Sequence, residues 1–254
     1  MFNISIQIPD EKSAFLGVSS TILKLDWYVN NGRKNRLEYY QNLNHPLFNK
    51  MIEDRHLSEK DFTSKYIVPF SQELYNKKMY EPYVQKIQEI LPVVQSCYDK
   101  FEKLNTSWGF EIFPAYHIDL VAYSVGGKYC RDSQNIGHVV LGFGNQWDDK
   151  SALAHIIVHE MIHLGIEDLI INPKRLKNPP IQQEEKERIV DNLCNYVTTK
   201  KIPDYKRKWS NGDFSRFQEI AAHCSYMDKI VGHQPQRNLV KAIQCFLKEQ
   251  GRYY

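Results

Sequence analysis

Residues 155–169 read HIIVHEMIHLGIEDL, and within them His159, Glu160 and His163 stand in the spacing HExxH. In a helix each residue advances about 100° around the axis, so side chains four apart leave from nearly the same face. Two imidazoles so placed can share one metal ion. Glu160, beside the first of them, is turned far enough round to miss the ion yet reach a water molecule held on it, the position a general base needs. The flanking Leu153, Ile156, Ile157, Val158, Met161, Ile162, Leu164, Ile166 and Leu169 predict a buried helix. A carboxylate and imidazoles inside a core require compensation, and a dication supplies it directly.

A catalytic zinc ion takes three protein ligands and keeps a fourth position for water. Glu187 and Asp191 form an ExxxD spacing at the start of the next apolar-periodic stretch, with both carboxylates on one face. Glu187 is the expected third ligand. Asp191, one turn on, is expected to accept the outer N–H of a ligand histidine and so fix its tautomer. Glu184 is the alternative ligand, although Arg188 four residues later spoils its carboxylate pairing. His155, one turn before His159, is either a residue supporting the ligands from behind or a packed core histidine. Glu167, four past His163, reads as a cap or surface residue, because one straight helix does not easily wrap three turns around a tetrahedral ion.

Several elements must position these groups. Residues 2–8 alternate as a half-exposed strand closed by Pro9 and Asp10, and helical spacing follows over about 36–54 and 80–104, with Pro92 a kink or boundary. Short β-type runs are expected at 110–113, 117–124 and 138–143, punctuated by glycines, giving a small antiparallel or mixed sheet. Asp148 and Asp149 offer caps to a helix over about 150–168 that Asn172 and Pro173 end. Pro180 and the acidic Glu184 and Glu185 suit the start of the following helix, and further helices are expected near 214–231 and 236–248. The fold class is therefore α+β. The expected organisation is a single catalytic domain over residues 1–254, with an N-terminal α/β lobe to about 170 and a helical C-terminal lobe over about 171–254.

Composition narrows the partners. Lys+Arg total 33 against 30 Asp+Glu, a net charge of only +3, and the basic residues are scattered, so nucleic acid is not expected. No apolar run is long enough for a bilayer, and the first twenty residues lack the basic start and long apolar block of a secretory signal, so a cytoplasmic location is expected. Five widely spaced cysteines with no CxxC pair read as free thiols.

HExxH followed by ExxxD resembles the gluzincin branch of the zincin metallopeptidases. The likeness spans about residues 136–194. It implies a zincin-like fold with zinc bound by His159, His163 and Glu187, Glu160 as general base and Asp191 supporting a ligand histidine. It also implies a downstream transition-state donor, for which His223 and Tyr226 are the first candidates, with His233 and Tyr196 behind them. In zincins an extended peptide lies along the edge strand before the motif helix, a place occupied here by 138–143, which reads equally as a plain core strand. The chain departs from the metzincin pattern, since Ile166 and Leu169 stand where that pattern has Gly and His. It also lacks the Asn-Glu pair of several gluzincins, since Lys186 precedes Glu187. The expected activity is zinc-dependent hydrolysis of a peptide or protein substrate. The alternatives are a zinc hydrolase of a non-peptide amide or ester, and a non-catalytic binding module stabilised by a closed metal site.

Overall fold

Side-chain caps set where the first helices begin. Asp10 accepts from the Ser13 amide at 2.7 Å and starts α1 (Glu11–Ile22). A short α2 (Leu25–Asn30) follows. The stretch expected as one helix over 36–54 is two, α3 (Asn35–Asn42) and α4 (Pro46–Glu53). Asn44 takes a left-handed conformation at φ 48°, and Pro46, whose missing N–H is harmless in a first turn, opens the second helix. Ser58 caps α5 (Glu59–Glu73) through the Asp61 amide. These helices close a core of Phe15, Val18, Ile22, Phe48, Met51, Phe62 and Phe70, all fully buried. The computed structural model describes residues 3–32, 34–108, 111–124, 127–142, 149–171 and 183–198.

A 3-10 turn (Lys77–Tyr80) leads into α6 (Glu81–Trp108), which runs through Pro92 without ending there. Buried residues on both sides of the proline, Ile87 and Ile90 before it and Val94, Cys97 and Phe101 after it, hold the two halves on one apolar stripe. Tertiary packing thus outweighs the backbone hydrogen bond that Pro92 removes.

Four strands form a mixed sheet in the order β1-β2-β4-β3: β1 (Asn3–Gln7), β2 (Ala115–Val121), β3 (Gly127–Arg131) and β4 (Gly137–Gly142). β1 pairs with β2 and β2 with β4 in parallel, while β3 and β4 form an antiparallel hairpin. Asp132 closes that hairpin by accepting the amides of Gln134 and Ile136, both at 2.9 Å. Residues 111–113 are not a strand, and β3, whose sequence GKYCR has no apolar alternation, was not expected. It is a strand because it finds a partner on one side only, where ladder bonds substitute for burial. Tyr116, Ile118, Leu120, Val139 and Leu141 form the buried face. Against it pack α6, α7 (Lys150–Ile171) and α8 (Gln183–Thr198). On the other side α1 reaches β2 at Gly17, where an added Cβ would stand 2.9 Å from the Val121 side chain. Among the described residues no helix is long and apolar enough to cross a membrane. The helices expected at 214–231 and 236–248 lie outside the described residues.

Candidate metal centre

Asp149 accepts from the Ser151 amide at 2.8 Å at the head of α7, and the helix then runs buried on nearly every side. Within it His155, His159, Glu160 and His163 are 0%, 2%, 6% and 2% exposed, so groups that ordinarily seek water have been taken into the core. The Nε2 atoms of His159 and His163 are 3.0 Å apart. Glu187, carried by α8, places Oε2 3.4 Å from the first and 3.3 Å from the second. These donor atoms are the group among the described residues that could hold a metal ion.

The triangle suits a zinc ion. Bonds of about 2.0–2.1 Å in a tetrahedral site separate ligand atoms by about 3.3–3.4 Å. Two imidazoles and one carboxylate are also a donor set that zinc takes in catalytic sites, with one position left over. Charge argues in the same direction. Glu160 and Asp191 are buried at 6% and 1% exposure and Glu187 is partly covered, so negative charge is concentrated around the two imidazoles. Burial pushes the Glu187 carboxyl upward, but hydrogen bonds from His159 and His163 and their charges outweigh it and hold the group well below the usual carboxylate range. Burial in turn lowers His163, favouring the neutral imidazole that a metal requires.

Asp191 lies behind the triangle, with Oδ1 3.0 Å from Nδ1 of His159. Glu160 is outside the ligand group and faces the edge strand. A Cβ added at Gly127 would stand 2.5 Å from its Oε1, so β3 passes close to the carboxylate and a side chain there would displace it. His155 lies against Cys194, whose sulfur is 3.5 Å from Nε2, with its ring 6.5 Å from that of His159. It is not one of the three converging groups.

Two expectations change. The part of 138–143 that lies in β4 is not an edge, because β4 is flanked by β2 and β3, and among the described residues the edges of the sheet are β1 and β3. The sequence pattern missed this because β3 shows no alternation, which left β4 looking outermost. Glu167 is partly exposed, but it does more than cap or coat the helix. It accepts from the Tyr129 hydroxyl at 2.7 Å and from Lys186 at 2.8 Å, and the Tyr129 ring lies flat on that of His163, 4.7 Å away and inclined by 9°. The Gly126-Gly127 pair was the available signal for β3, and Tyr129 follows two residues later on the same strand face. Glu184 and Tyr196 fall within α8, but their side chains lie outside the described ones, as do residues 223, 226 and 233 altogether. Compared with family models, curated proteins and solved structures, the chain gives no match.

Proposed function

We propose that the chain is a zinc-dependent hydrolase, a metallopeptidase of gluzincin-like type. The observation that carries this reading is the triangle of His159, His163 and Glu187 at 3.0–3.4 Å, with Asp191 behind it and Glu160 beside it but not part of it.

A zinc ion held by these three residues supplies a water molecule whose pKa is lowered toward about 7 and a Lewis acid for a carbonyl oxygen. Glu160 accepts the proton of the attacking water and delivers it to the leaving amine. Gly127 brings no side chain against the buried Glu160 carboxylate. Asp191 keeps Nδ1 of His159 engaged, so that Nε2 is the atom presented to the metal. Among the described residues β3 is an edge of the sheet, which supports an extended peptide as substrate, since an edge strand can take an added strand running past Glu160. This edge favours a peptide over a small amide or ester. The downstream donor remains assigned to His223 or Tyr226 by resemblance alone.

The protein as purified should contain close to one zinc ion per chain. Glu160→Gln should retain it while peptide hydrolysis falls by about 10²–10⁴-fold. Full activity in that variant, or an absence of zinc from the wild type, sinks the proposal. Peptides screened beside small amides and esters separate the two substrate classes. If chelation unfolds the chain instead of silencing it, the closed binding module is the better reading.

A further inference from the structure

The two ligand histidines are held in place by different means. His159 has the familiar arrangement, with its outer nitrogen against the Asp191 carboxylate. His163 does not. Its Nδ1 is buried and has no hydrogen-bond partner among the described residues. What faces its ring is the ring of Tyr129, nearly parallel at 4.7 Å, in the offset stack that aromatic quadrupoles favour.

Tyr129 is itself fixed at its far end. Its hydroxyl donates to Glu167 Oε2 at 2.7 Å and accepts from the Lys186 ammonium, which also donates to Glu167, at 3.0 Å to Oε1 and 2.8 Å to Oε2. The same ammonium sits 5.2 Å from the Tyr129 ring centroid. The three groups therefore close a ring of hydrogen bonds. They come from β3, α7 and α8, the elements that form an edge of the sheet among the described residues and carry the two imidazoles and Glu187. Lys186 is only 7% exposed, an unusual place for an ammonium unless a carboxylate meets it.

We infer that Tyr129 is the positioning residue for His163, doing by ring stacking what Asp191 does for His159 by hydrogen bonding, and that Lys186 and Glu167 pin Tyr129 in that position. The inference rests on the zinc-site reading above. It adds a role for three residues outside the ligand set and makes the edge strand part of the metal site. Because Lys186 precedes Glu187, the same ring of bonds fixes the rotation of α8 at which Glu187 faces the imidazoles.

The test is the zinc dissociation constant of the full-length protein, measured by chelator competition beside the melting temperature of the metal-free form. Tyr129→Leu should weaken zinc by about 10–100-fold, the range for groups that orient a ligand histidine. Tyr129→Phe, which keeps the stacked ring but loses the hydroxyl that Glu167 and Lys186 hold, should fall between wild type and the Leu variant. A folded Tyr129→Leu protein that binds zinc as tightly as wild type overturns the inference, as do equal losses in the Leu and Phe variants. If Tyr129→Leu does not fold, Lys186→Met decides. Weaker zinc at an unchanged metal-free melting temperature supports the role, and unchanged affinity overturns it. Wild-type protein that takes up no zinc at all removes the underlying reading as well, so the two failures are distinguishable.

Discussion

The two cores of this molecule are built on opposite terms. The core around α1, α4 and α5 is aromatic and aliphatic, with Phe15 5.6 Å from Phe70 and 4.9 Å between the rings of Phe62 and Tyr66. Its buried polar residues are Ser19 and Thr21, whose hydroxyls return to carbonyls of their own helix. The core under the sheet buries His155, His159, Glu160, His163, Lys186 and Asp191. Burying such groups is unfavourable unless they are paired or bind a metal, so their concentration in one place sets the second core, which holds the group able to take a metal ion, apart from the first. Both cores have apolar walls, and the difference lies in what those walls enclose.

The sharpest way to break this comparison is a large cavity in the first core. Phe62→Ala, at a fully buried position, should lower stability by about 3–5 kcal/mol in denaturant titration while the folded protein still takes up one zinc. Loss of zinc uptake from folded protein would show that the two cores are not separable.

In the second core, Asp191→Asn keeps size but weakens the acceptor facing His159. Zinc should bind about 10–100-fold less tightly, which is about 1.4–2.7 kcal/mol, with the apolar core intact. Chelator competition measures it, and the value serves as the standard against which the Tyr129 variants are judged.

Acid should divide the molecule in the same way. His163 and Glu187 both titrate below their ordinary values in the folded chain. The native state therefore binds fewer protons than the unfolded one, and the stability they contribute is present at high pH and lost as pH falls. The loss begins below 6.5 for His163 and continues below 4.5 for Glu187. In the first lobe Asp54, lowered by its hydrogen bonds to Lys65 and Tyr66, responds only below 3.8. Amide protection in metal-free protein, corrected for the slower intrinsic exchange at lower pH, should accordingly fall first in α7 and α8 as pH drops from 7 to 5, with protection in α1 and α5 unchanged. Simultaneous loosening of both regions contradicts this.

The smallest effect belongs to the surface. Glu111 meets Arg131 at 3.2 Å with both side chains substantially exposed, so Glu111→Ala should change stability by about 0.2–1 kcal/mol and zinc affinity not at all.

Much of the metal triangle could be read from the order of residues, and the reason is geometric. A four-residue spacing on one helix fixes a shared face before any tertiary contact exists, which is why His159 and His163 were legible together. The same holds for Glu187 and Asp191 on α8, although that α8 turns this face toward α7 rather than away depends on packing through Val190, Leu193 and Cys194. The extent of α7 was close to that expected, because apolar residues on all sides allow no other environment. Pro92 is not a boundary of α6, because the proline rule is local, whereas the apolar stripe that carries the helix across it packs against the sheet.

What only the tertiary structure decided was the surroundings of the triangle. β3 has no periodicity of its own and exists by pairing with β4, so its place at an edge among the described residues followed from the sheet order. Tyr129 lies 38 residues from Glu167 and 57 from Lys186, and no spacing rule joins positions so far apart. The sequence by itself determined which side chains share a helical face, because a helix has a fixed period. Which faces meet, and which strand comes to lie beside Glu160, depended on how the apolar surfaces of distant segments fit together, and that fit has no local signature.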